Sequence, residues 1–177
     1  MLIADLGEGA ELRLLEVRHA PEYHKLVCAN LERLYWLPGA PSLPEAENRI
    51  RAGLGRLAEG SGFDGGIFER GALCGFAGLF HIDAGQQSGE IGYWIDKAAE
   101  GRGLAARACR ALIGYGFAEL SLHRIELRCG ATNSRSRALA ERLGFRLEGR
   151  LREADRVRDG WDDFLVYGLL AGEWKDA

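Results

Sequence analysis

Lysine is nearly missing from this chain of 177 residues: Lys25, Lys97 and Lys175 are the whole set, and arginine supplies the rest of its 23 basic side chains. Against 26 acidic residues the net charge is -3. No net basic field exists to draw the chain onto nucleic acid, and that class of partner is set aside. Cysteine is sparse too. Cys28, Cys74, Cys109 and Cys129 are scattered, with no Cys-x-x-Cys pair and no histidine at metal-ligand spacing. That excludes a zinc framework, and the four read as reduced thiols, most of them in the core. No apolar run approaches the roughly 20 residues of a membrane span. No basic-then-apolar leader opens the chain, so the cytosol is the expected compartment and no membrane partner is expected. Internal repeats, linkers and low-complexity tracts are also missing.

What is there fits one globular domain. Hydrophobic residues make up 47% and charged residues 28%, an ordinary balance for a packed fold. The length suits a single domain over 1–177, with residues 1–10 expected to fray.

Periodicity gives the element order. Residues 11–17 alternate as a strand. Ala20-Pro21 opens a helix that runs toward Leu34, proline being suited to the first turn. The segment 35–41 breaks it. Ser42 caps a second helix, with Glu45 completing a capping box, and Gly60 to Gly62 ends it near residue 59. Strands 63–69 and 72–82 form a hairpin at Arg70-Gly71. A third strand of this meander covers 89–96. The helix 104–120 carries Leu104, Ala105, Ala108, Leu112, Ile113 and Phe117 at helical spacing. Strand 124–129, helix 134–143 stopped by Gly144, and strands 145–149 and 163–170 complete the chain. The order β-α-α-β-β-β-α-β-α-β-β implies an α/β fold. Its mixed, mostly antiparallel sheet of about seven strands carries helices on both faces.

The chemistry concentrates between residues 90 and 106. Small residues in Glu100-Gly101-Arg102-Gly103-Leu104-Ala105-Ala106 let a ligand approach the backbone. The helix start behind them offers free N–H groups and the positive end of a dipole, a site suited to a pyrophosphate. Arg102 and Arg107 would add charge. The alternative is a chain-reversing glycine turn with two solvated arginines. Gly101-x-Gly103-x-x-Ala106 also fits a dinucleotide fingerprint, but the loop before the first glycine is long. No acidic residue follows the next strand at ribose-binding distance, and an antiparallel meander precedes it. No Gly-Lys-Ser/Thr follows for a nucleotide-triphosphate loop.

These residues resemble the GCN5-related N-acetyltransferases (GNAT), and more closely their RimJ/RimL-like branch, which acetylates N-terminal amines of ribosomal proteins. The family's Gln/Arg-x-x-Gly-x-Gly/Ala motif is matched by Glu100 to Ala105, with Glu100 the departure. Glu90-Ile91-Gly92-Tyr93-Trp94-Ile95, Asn133-Ser134-Arg135-Ser136, Leu143-Gly144-Phe145, Leu147-Glu148-Gly149 and Asp163-x-x-x-Tyr167 match in order, and Trp36-Leu37-Pro38 matches an acceptor-side loop.

The resemblance implies acetyl-CoA as co-substrate, no metal, an amine acceptor and direct attack without a covalent enzyme intermediate. It places the cofactor on Ile95, Arg102, Gly103, Leu104, Ala105, Ala106 and Asn133. A backbone N–H near Ile95 would face the thioester oxygen. Ser136 takes the place of the proposed acid, since Ala140 stands where many members carry a tyrosine; its plainer reading is a helix-start residue bonding the backbone. Asn133 would hold the cofactor, cap the helix, or both. Asp155 takes the place of the base, in a position otherwise read as an exposed turn. Glu90 is the second candidate base, on the face of Gly92 and Trp94. His81 is a third, weaker one. Tyr35 and Trp36 would line the acceptor pocket. The favoured acceptor is a protein or peptide N-terminus. A small-molecule amine of aminoglycoside or polyamine type stays open because Glu153, Asp155, Asp159, Asp162 and Asp163 cluster, and a non-catalytic acyl-CoA-binding module stays open because Ala140 and Asp155 stand where the family carries Tyr and Glu. Trp161 would be an exposed contact for substrate or a second subunit, and a homodimer is the branch's common arrangement.

Overall fold

A computed structural model of the chain describes residues 1–37, 39–157 and 160–175. Among them, strands β1 (Leu2–Gly7) and β2 (Ala10–Leu14) precede helices α1 (Ala20–Ala29) and α2 (Leu43–Glu59). The meander β3 (Phe63–Glu69), β4 (Ala72–Asp83) and β5 (Ser88–Ile95) follows. Then come α3 (Leu104–Ala118), β6 (Arg124–Gly130), α4 (Ser134–Arg142), β7 (Arg146–Val157) and β8 (Gly160–Leu170). One sheet of eight strands holds them in the order β1-β2-β3-β4-β5-β6-β8-β7. Among the described residues, only the β5–β6 pair is parallel.

The helices cover both faces. On one side, Ile50 of α2 and Ala20 and Leu26 of α1 pack with Leu15, Phe68, Leu73 and Phe76. On the other, α3 buries Leu104, Ala108, Cys109, Leu112 and Ile113, its i, i+4, i+8 stripe, against the sheet. Asp64, buried at the start of β3, takes Arg49 and Arg56 of α2 at 2.7 Å each and docks that helix. No helix among the described residues is long and apolar enough to cross a membrane.

Several boundaries agree with the sequence pattern and some do not. Ser42 accepts from Glu45 N–H while Glu45 returns a bond to Ser42 N–H, the expected capping box, and Gly60 ends the helix at φ 71°. The expected fraying of residues 1–10 is corrected: β1 pairs with β2, and Leu6 is buried. Arg107 of α3 clamps it by donating to the carbonyls of Leu6 (3.0 Å) and Gly7 (3.1 Å). The sheet therefore has eight strands rather than seven. Helix α1 stops at Ala29 instead of Leu34. Asn30 terminates it by donating its side-chain amide to Leu26 O, a bond that competes with helix propagation. Strand β7 runs to Val157 rather than 149. Arg150, Leu151, Asp155 and Arg156 pair through backbone with β8 on either side of an irregularity, and in so charged a stretch hydrophobic patterning carries no trace of a strand.

Candidate active site

Strands β5 and β6 run side by side only from Ser88↔Arg124 to Ile91↔Leu127, then part. Beyond that point β5 stays with β4 and β6 stays with β8. The register fixes which groups face the gap. Asp96 N–H bonds Cys74 O, so alternation makes Gly75↔Ile95 and Ala77↔Tyr93 the pairs that exchange no hydrogen bonds. The N–H and C=O of Tyr93 and Ile95 therefore turn away from β4 into the gap. Ile95 O accepts a 3.1 Å bond from Arg33.

At the open end lies the glycine turn. Gly101 (φ 78°) and Gly103 (φ 72°) are both left-handed, a conformation that costs other residues about 1–2 kcal/mol, and no heavy atom lies within 4 Å of where a Cβ would stand on either. Gly103 is the N-cap of α3 and contributes no side-chain acceptor. The first-turn amides of Leu104, Ala105 and Ala106 therefore have no intrahelical partner and face a groove of about 920 Å³. This open cradle of amides fits a diphosphate. Asn30, 3% exposed, holds the loop in place. It donates to Asp96 Oδ1 (2.9 Å) and accepts from Lys97 N–H (3.1 Å). A buried amide with every bond made fixes the end of α1 to the start of the turn.

The arginines are distributed differently from the expectation. Arg102 turns its side chain to Glu69 and to Ala98 O, and Arg107 is engaged with β1, so neither guanidinium reaches the groove. Arg102 would meet a ligand through its backbone alone. The arginines that do line the groove are Arg33, Arg135 and Arg142. Glu100, the departure from the family motif, pairs with both Arg33 and Arg135 across the groove mouth. Nothing in the spacing of Arg33 or Arg142 marked them. Arg135 lies inside the Asn133-Ser136 motif, and that was a usable signal.

Asn133 caps α4, its Oδ1 accepting from Ser136 N–H at 3.1 Å, and it also lines the groove. Ser136 is 9% exposed, and its hydroxyl bonds Tyr93 Oη at 2.7 Å, so it is not a hydroxyl turned back on its own helix. Burial pushes the Tyr93 phenol above its ordinary range. Ala140 is fully buried and offers no hydroxyl.

Asp155 is not an exposed turn residue. It sits within β7, 6% exposed, and Tyr35 donates to its Oδ2 at 2.8 Å. Gly130 makes room for this pair: a Cβ there would come within 2.9 Å of both Asp155 Oδ2 and Asp162 Oδ2. Burial first, then the bond to Asp155, holds the Tyr35 phenol well above its usual value. Tyr35 and Trp36 line the groove in an edge-to-face pair 5.3 Å apart, whereas Asp155 lies behind Tyr35.

Glu90 is set back along β5 beside Arg128 (3.7 Å) and does not line the groove. His81 lines a separate pocket of about 400 Å³ with Arg49 and Arg56. The acidic cluster is largely committed internally. Asp162 accepts from Thr132 N–H and Oγ1, which keeps its carboxyl below the usual range, and Asp163 accepts from Glu153 N–H and Arg150. Trp161 is exposed and stacks under Arg156. Pro38 and Asp159 lie outside the described residues.

A mixed sheet split at its one parallel pair, with a glycine turn and a helix start at the open end, defines an acyltransferase architecture. The model of the acetyltransferase (GNAT) domain matches residues 10–146. YdaF of Bacillus subtilis, provisionally named a ribosomal N-acetyltransferase, is 36% identical over 180 residues, covering 99% of this chain and 98% of its own. The ribosomal-protein-serine acetyltransferase of Escherichia coli is 28% identical over 169 residues, covering 93% and 94%. The structure of RimL, a ribosomal L7/L12 alpha-N-protein acetyltransferase, in complex with coenzyme A superposes with a TM-score of 0.90 at 25% identity, covering 96% and 98%. The chain belongs to the GNAT acetyltransferase family and is an acetyltransferase.

Proposed function

We propose that the chain transfers acetyl from acetyl-CoA to a primary amine, the N-terminus of a protein or peptide of the ribosomal kind. The observation that carries this reading is the parting of β5 from β6 directly opposite the uncapped start of α3. The amides of Leu104, Ala105 and Ala106 hold the diphosphate, and Asn133 lies along the same wall. The pantetheine arm lies in the gap, where the free N–H of Ile95 meets the thioester oxygen and stabilises the charge that grows on it.

The acceptor amine arrives as an ammonium. Its proton passes to Tyr35 Oη while Tyr35 gives its own proton to Asp155, so the tyrosine bridges the groove and the base. The neutral amine attacks the thioester carbon, the C–S bond breaks, and Ser136 gives its proton to the departing thiolate while it regains one from the nitrogen, which leaves a neutral amide and a thiol. Tyr35 and Trp36 form the acceptor wall. The relatives' ribosomal acceptors support a protein N-terminus. The inward commitment of Asp162 and Asp163 speaks against a pocket built for a polycation.

The test is release of coenzyme A, read with a thiol reagent, from acetyl-CoA and a panel of amines. Mass spectrometry of ribosomal-protein N-termini incubated with the enzyme accompanies it. N-terminal acetylation with no turnover of aminoglycosides or polyamines is expected. Preference for a small cationic amine would replace the acceptor assignment. Coenzyme binding with no turnover of any amine would overturn transfer itself.

A further inference from the structure

Which of Tyr93 and Ser136 donates in the hydrogen bond between them bears on catalysis. Tyr93 comes from the free end of β5 and Ser136 from the first turn of α4, 43 positions apart, and their oxygens stand 2.7 Å apart. A phenol oxygen can give its own hydrogen or accept another, and Tyr93 is only half-buried, at the edge of the groove. Among the described residues, the hydrogen-bond partner of Tyr93 Oη is Ser136 Oγ. Two hydroxyls at that distance can share the bond either way, and in one of the two directions Tyr93 donates and Ser136 accepts. In that direction the serine's own hydrogen is left for another acceptor. Its backbone N–H is already satisfied by Asn133. The Cys129 thiol lies beside the hydroxyl, but a thiol is a weak acceptor and leaves the hydrogen available to a stronger one. Tyr93 and Ser136 both line the groove, and the backbone of Tyr93 faces the same gap as that of Ile95.

We propose that Tyr93 is a positioning residue for proton delivery: it donates to Ser136 Oγ and so fixes the seryl O–H toward the sulfur of the departing coenzyme. This rests on the transfer reading above, with Ser136 as the proton donor. A serine hydroxyl left to rotate in this corner would point at Cys129, at the helix carbonyls or at the groove in turn. Locked by the phenol, it samples the productive direction, and pre-orientation of a donor is worth most where water is excluded. Ala140, buried and without a hydroxyl, leaves the phenol on β5 as the tyrosine that serves this corner.

The experiment is steady-state turnover of acetyl-CoA with a good amine acceptor, beside calorimetric binding of coenzyme A, for the wild type, Tyr93→Phe, Ser136→Ala and the double variant. Tyr93→Phe keeps the ring and removes only the hydroxyl, and intact coenzyme binding reports that the variant is folded. The expected result is a fall in kcat of about ten- to a hundredfold, with KM for acetyl-CoA and coenzyme affinity within about twofold. The double variant should be no slower than Ser136→Ala alone. Full turnover in Tyr93→Phe while Ser136→Ala is slow would overturn the proposal. So would independent, multiplying losses or a loss of coenzyme affinity in Tyr93→Phe. Full turnover in Ser136→Ala would instead remove the serine as donor and the proposal with it. A wild type that binds coenzyme A but acetylates nothing would fail the transfer reading.

Discussion

The Tyr35 phenol and the Asp155 carboxylate, 120 positions apart in the chain, meet at 2.8 Å, and of the two only the tyrosine faces the groove. A base placed behind a phenol works through it, which makes the pair one unit. Tyr35→Phe and Asp155→Asn should each lower kcat by about ten- to a hundredfold, and together by little more than either alone. The loss should be largest below the acceptor's own pKa, about 8 for an N-terminal amine, where more of it must be deprotonated on the enzyme. Glu90→Gln should stay near the wild-type rate across the same pH profile. A larger effect at Glu90 than at Asp155 would move the base to β5.

Gly103 is left-handed and stands at the start of α3 with open space around it. Gly103→Asp puts a carboxylate into the amide cradle, and coenzyme A affinity should fall more than tenfold. Gly103→Ala brings only the backbone strain of about 1–2 kcal/mol, a modest drop in melting temperature and a smaller loss of affinity. Calorimetry with both variants separates charge from strain. Equal affinity in Gly103→Asp would remove the phosphate role of this turn.

Glu100 holds Arg33 and Arg135 at the mouth of the groove. A diphosphate entering there competes with the carboxylate for the same guanidinium groups. Glu100→Gln should therefore tighten coenzyme A binding and steepen its dependence on salt, because two more cations become free to meet phosphate. Titrations at low and high ionic strength check this. Weaker binding in Glu100→Gln would show that the carboxylate orients the arginines rather than occupying them.

Tyr35 and Tyr93 share a pH signature. Burial leads the causes that hold both phenols above their ordinary value of 10. The folded chain keeps protons that the unfolded chain gives up. The stability this provides is complete below pH 10 and is lost as pH rises toward the folded values. Denaturant midpoints between pH 8 and pH 11 should fall more steeply for the wild type than for Tyr35→Phe. Parallel curves would show that the phenol ionises as freely folded as unfolded.

Much of this was legible in the chain because it is written locally. Ser42 with Glu45, Gly60 and the apolar stripe of α3 are short-range patterns, and each appears where the sequence puts it. The cradle from Gly103 to Ala106 was legible for the same reason. What was not legible depends on partners far along the chain. Leu2–Gly7 reads as a tail until Arg107, a hundred positions on, clamps it. Asp155 reads as an exposed turn residue because its neighbours are charged; it is buried because Tyr35 covers it and Gly130 yields space. Arg102 and Arg107 looked like phosphate ligands by proximity in sequence, yet each has a nearer acceptor in space. Tyr93 was visible as part of a strand motif, and only the fold brings its hydroxyl to Ser136.

The brevity of the β5–β6 ladder has a mechanical meaning. Five strands on one side and three on the other are joined by four residue pairs, in the parallel pattern that is slightly weaker per residue. This seam is where native-state openings should begin, ahead of the meander and of the long β7–β8 hairpin. A molecule lodged in the gap would bridge the two parts like a ninth strand. Saturating coenzyme A should then slow hydrogen exchange across β5 and β6 together, making the co-substrate a rivet of the scaffold as well as its cargo.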